Sequence, residues 1–94
     1  LDLPSGGASR EREVMLTTHE FVSELALIIR GEHPAWEGDR IANAELFCRR
    51  VAQDFDEAPA IADDIERNIH ALSDSHGMSP NGMRWTVARI RECL

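Results

Sequence analysis

An all-α fold, a compact bundle of about four short helices, is predicted for this 94-residue chain by three features. Apolar residues recur at intervals of three and four in four separate segments, which is the period of an amphipathic helix. Those segments are bounded by residues suited to starting helices, Thr17, Asp39, Pro59 and Ser79, or to ending them, Gly31 and the turn-favouring run 73–77. No stretch alternates apolar and polar residues as a half-buried strand would, and no internal repeat is visible.

Residues 1–14 open with Pro4, Ser5, Gly6, Gly7 and Ala8, which cannot nucleate a helix, and are expected to form a flexible tail or linker; residues 15–94 form a single helical domain. The first helix spans 18–30. Thr17 and Glu20 have the spacing of a capping box, Leu16 and Phe21 that of a hydrophobic staple, and both select Thr17 as the cap. Phe21, Val22, Leu25, Ile28 and Ile29 then share an arc of about 140°, and Gly31 follows as the natural stop. In the connection 32–38, Trp36 is expected to fold back over the core edge; the functional alternative is an exposed aromatic anchor for a partner.

Asp39 caps the second helix, 40–54, whose stripe is Ile41, Ala44, Cys48, Val51, Ala52 and Phe55 with Phe47 at its flank; Glu45 and Arg49 are spaced as an ion pair. Leu46 lies off this stripe, as Leu27 does on the first helix. Either they are scattered surface apolars or they mark a second apolar surface for dimerisation or partner binding. The third helix, 57–73, places Ile61, Ile65, Ile69 and Leu72 on one side and an acidic remainder on the other, and is the wall on which the others are expected to pack. The last segment has two phasings. With Ser79 as cap, Met83, Val87, Ile90 and Leu94 form the stripe and Trp85 points away; with Thr86 as cap, Trp85 staples against Ile90. The longer apolar period favours Ser79.

A domain of this size has one core of marginal stability. Seventeen acidic against ten basic residues give a net charge of −7, which disfavours nonspecific binding to nucleic acid or anionic membranes. No apolar run is long enough for a membrane span and no signal pattern opens the chain, so a cytoplasmic protein is expected. Cys48 and Cys93 belong to no CxxC unit and are expected to be reduced, with Cys48 on a buried face. All the basic side chains are Arg.

Chemistry-bearing motifs are few. The four histidines and two cysteines show no HxxxH, HExxH or CxxC spacing, so neither a metal nor a cofactor is expected. No GxSxG elbow, P-loop or GxGxxG is present, and catalysis is not expected. The densest charged cluster is acidic: Asp54, Asp56, Glu57, Asp63, Asp64 and Glu66. It lacks the glycine and terminal glutamate of a calcium loop and lies mostly off the apolar stripe, as a solvated face or an anionic surface for a basic partner would.

Residues 77–91, Gly-Met-Ser-Pro-Asn-Gly-Met-Arg-Trp-Thr-Val-Ala-Arg-Ile-Arg, resemble a short segment of large serine recombinases: a Gly-x-x-Pro-x-Gly turn, Arg-Trp-Ser/Thr, then an Arg-bearing helix. In that family the segment belongs to a DNA-binding region, so the resemblance implies Arg84, Arg89 and Arg91 as phosphate or base contacts. It covers under a fifth of the chain, and Glu92 stands where that family commonly has a basic residue. Two functions are therefore expected in competition. The first is an acidic protein-interaction module, an adaptor or inhibitor offering Asp56, Glu57, Asp63, Asp64 and Glu66 with Trp36, Leu27, Leu46 or Trp85 to a basic or apolar partner surface. The second is a DNA-binding accessory domain using the C-terminal helix. A C2 homodimer completing the small core is a further expectation.

Overall fold

The computed structural model describes residues 15–94, so the expected tail at 1–14 lies outside the described residues. Five helices follow in order: α1 (Thr18–Arg30), α2 (Arg40–Asp54), α3 (Ala58–Arg67), α4 (Ile69–His76) and α5 (Pro80–Glu92), with no strand among the described residues. The bounds of the first two helices are those the sequence predicts. At α1, the Glu20 amide donates to Thr17 Oγ1 at 3.1 Å and the Thr17 amide to Glu20 Oε1 at 3.0 Å, completing the capping box. Gly31, at φ 75°, ends the helix, with Glu32 N–H donating to the Leu27 carbonyl at 2.9 Å. Asp39 caps α2 by accepting from the amides of Ile41 and Ala42.

The predicted single helix over 57–73 is two helices. Asn68 sits at φ −126°, ψ 35°, outside helical geometry, between α3 and α4. Its amide N–H donates to the carbonyls of both Asp64 and Ile65, and its side-chain Nδ2 donates to the Asp64 carbonyl at 2.9 Å. Asn can thus satisfy locally the backbone groups that a break exposes. The interruption leaves Ile69 only half-buried while Ile61, Ile65 and Leu72 remain buried.

For the last helix the Ser79 phasing is the one adopted: Ser79 Oγ accepts from the Gly82 amide at 3.0 Å, and Pro80 occupies the first turn. Met83, Thr86, Val87 and Ile90 are buried. Leu94, placed on this stripe from its spacing, lies past the helix end and is 58% exposed. Trp85 does not point away as expected but packs half-buried against the core.

α1 packs on α2, α3 and α4; α5 packs on the same three; α1 and α5 do not pack on one another. α3 is the one described helix that packs on all four others, which makes it the expected wall. The centre is the aromatic pair Phe21 and Phe47, both fully buried, stacked with ring centroids 5.1 Å apart. Phe47 was expected at the flank of α2. Stacking on Phe21 instead turns α2 so that Ala44, Phe47, Cys48 and Val51 face inward. Ile41, in the first turn, is left 58% exposed. The expected Glu45–Arg49 pair is not among the ion pairs of the described residues.

Candidate functional surface

The acidic and basic clusters, 25 and 28 residues apart in sequence, meet. α3 and α5 lie side by side, and Arg91 Nη2 donates to Asp63 Oδ1 at 2.8 Å and to Glu66 Oε1 at 2.9 Å. Asp63 and Glu66 are one turn apart, so both carboxylates reach the same guanidinium. The hydrogen bond from Arg91 holds the Glu66 carboxyl below its ordinary range, with the Arg91 charge adding to it; Glu66 and Asp63 in turn raise Arg91.

The other predicted site residues are divided by the fold. Asp64 faces α1, accepting from Thr18 Oγ1 at 2.8 Å, and also receives Arg67 Nη2 at 2.7 Å. Arg89 donates to Glu92 Oε2 at 2.6 Å and lies over the Trp85 ring, 5.5 Å from its centroid. Arg84 donates to Asn81 Oδ1 at 3.2 Å, a neutral partner. Trp36 folds back edge-on to Phe47, with ring centroids 6.3 Å apart, and the Arg50 guanidinium lies over the Trp36 ring, 5.2 Å from its centroid. Leu27 and Leu46 are half-buried. Asp56 is exposed and Glu57 half-buried at the turn from α2 to α3. Together with exposed Asp54 they form an anionic corner, and none of the three has a cationic partner among the described residues.

No protein-family model, curated protein or solved structure matches this chain.

Between α5 and the α3–α4 junction runs an open groove of about 420 Å³, floored by Ile69, Val87 and Ala88 and rimmed by Arg84, Arg91 and Glu66. Cys48 is fully buried, and burial, reinforced by the proximity of Cys93, pushes its thiol up to about 12, which makes it a poor nucleophile. Both cysteines are free thiols. None of the described helices is long and apolar enough to cross a membrane.

Sequence reasoning missed two arrangements. One is the clamp of Arg91 by Asp63 and Glu66, whose partners belong to helices whose relative placement no local pattern specifies. The other is a histidine pair: His19 Nδ1 and His76 Nε2 stand 3.1 Å apart although the residues are 57 positions apart in the chain.

Proposed function

We propose that this chain is a non-catalytic protein-interaction module that offers an anionic surface, centred on the α2–α3 corner, to a basic partner. The observation that carries this is the division of charge. Arg89 and Arg91 are already engaged by Glu92, Asp63 and Glu66, so the C-terminal helix has little free positive charge for phosphate. Asp54, Asp56 and Glu57 make no ion pair among the described residues, and the net charge of −7 adds long-range attraction for a cationic surface. Half-buried Phe55, between Asp54 and Asp56, supplies an apolar centre to the same corner.

The test is fluorescence anisotropy with two labelled probes, an arginine-rich peptide and a duplex DNA, each at low and higher salt. Binding of the peptide should weaken several-fold in the variant Asp54→Asn, Asp56→Asn, Glu57→Gln. A variant with the same charge change elsewhere, Glu37→Gln, Glu45→Gln, Asp74→Asn, should lose much less. Equal losses in both variants would reduce the interaction to net charge and remove the corner as a site. Binding of the DNA that falls steeply with salt and disappears on replacing Arg84, Arg89 and Arg91 by Ala would replace this function with the one implied by the recombinase-like segment.

A further inference from the structure

Outside the charged surface, the most specific arrangement of reactive side chains is the histidine pair. His19 lies in the first turn of α1 and His76 is the last residue of α4. The two imidazoles are tilted by 40°, with ring centroids 5.3 Å apart. Both are reachable from solvent: His19 is exposed and His76 half-buried.

We propose that His19 Nδ1 and His76 Nε2 form a two-imidazole site for a divalent transition metal of the zinc class. Two imidazole nitrogens bound at about 2.0–2.1 Å to one tetrahedral ion stand roughly 3.3–3.4 Å apart, and these nitrogens are already at 3.1 Å. The spacing thus already suits a shared ion, which is reached once both rings turn from facing one another so that their lone pairs converge on it.

The surroundings prepare one half of the site. One turn beyond His19, the Ser23 hydroxyl lies 3.5 Å from His76 Nδ1. A proton on Nδ1 directed at Ser23 leaves His76 Nε2 as the free donor; a proton on the solvent side of His19 leaves its Nδ1 free. Starting from two neutral rings, metal binding then needs a shift of tautomer beside the ring rotation, with no net loss of a proton. Arg30 Nη1 donates to the His76 carbonyl at 3.1 Å and fixes the backbone there. The Arg30 charge opposes a bound cation, but it is partly offset by Glu32, whose Oε1 is 3.4 Å from Arg30 Nε. No third His, Cys, Asp or Glu converges on the pair among the described residues. At least two coordination positions thus stay open to water or to a ligand from outside, and imidazole donors suit zinc, copper or nickel rather than magnesium or calcium.

The experiment is calorimetric titration of the tag-free full chain, stripped of metal with chelator and exchanged into non-chelating buffer near neutral pH, with zinc chloride and separately with nickel chloride. Thermal melts with and without metal accompany it. One ion per chain and a raised Tm are expected. His19→Ala and His76→Ala should each weaken binding by more than roughly tenfold, with Ser23→Ala intermediate. His70→Ala and Cys93→Ser should leave binding intact, and far-UV circular dichroism establishes that each variant is folded. No binding up to millimolar metal would overturn the proposal, as would binding that survives His19→Ala or is lost in His70→Ala or Cys93→Ser.

Discussion

Ser73 is 5% exposed and its hydroxyl has no hydrogen-bond partner among the described residues, which makes it an unsatisfied polar atom in an otherwise apolar position on α4. Such a group costs about 1–3 kcal/mol of desolvation, and Ala is also the better helix former. Ser73→Ala should therefore raise the midpoint of urea unfolding; an unchanged or lowered midpoint would mean that the hydroxyl does find a partner in solution. Phe47 is the opposite case. It is fully buried, stacked on Phe21 and met edge-on by Trp36, so Phe47→Ala removes two aromatic contacts at once. A loss of about 3–5 kcal/mol is expected, a large share of the stability of a small domain. Denaturant titration measures it, and a loss below about 1 kcal/mol would show that the core collapses around the space.

At the level of elements, α3 and α5 are joined by the Arg91 clamp, and the clamp is on the surface: Arg91, Asp63 and Glu66 are each about half exposed, at 41, 57 and 58%. Solvent and salt screen such a pair, so its effect on stability is small and ionic. Arg91→Ala should lower Tm slightly at low salt, with the difference from the unmodified chain vanishing near 1 M salt. A deficit that persists at high salt would instead point to lost packing of the arginine stem. The break at Asn68 is a second joint. It separates α3, which faces all the other helices, from α4, which packs on α1, α3 and α5 only.

For the whole molecule, the pH dependence of stability follows from His76 and Glu66. Burial, with the nearby charges of His19 and Arg30, lowers the His76 pKa below 6.5, so below that pH the unfolded chain takes up the proton first. Stability should fall as pH drops from about 6.5 through the lowered value, and His76→Gln should flatten this part of the curve. Ser23 faces the same ring but does not titrate in this range. Glu66 acts lower on the scale. Its pKa is depressed beneath 4.5, so its contribution is complete above 4.5 and is lost as pH falls through the depressed value. Denaturation midpoints between pH 7 and pH 3 would resolve the two windows. Self-association is also decided at this scale. Exposed Ile41 and Leu94 and half-buried Leu27 and Leu46 leave apolar surface for a C2 partner; light scattering should then show a concentration-dependent mass, and a strictly monomeric mass removes the dimer.

The all-helical class, the ends of α1 and α2 and the start of α5 were legible in the chain because caps act within one turn: Thr17 with Glu20, Asp39 with Ile41 and Ala42, Ser79 with Gly82. The apolar period likewise named most of the core, since burial follows the face of a helix. It could not place Ile41 or Leu94 outside it, because whether a helix end has a neighbour depends on where the other helices stop. Nor could it find the break at Asn68, where the apolar spacing runs on unbroken from Ile65 to Ile69. The candidate residues on α3 and α5 were recognised singly, as an acidic run and three arginines, and as rival surfaces. Only the packing of α3 against α5 joined Arg91 to Asp63 and Glu66, and only the approach of α1 to the end of α4 brought His19 to His76. Helix formation and capping are local, within reach of three or four residues, whereas pairing across 25 to 57 residues is set by how the apolar faces pack, and no short-range pattern carries that.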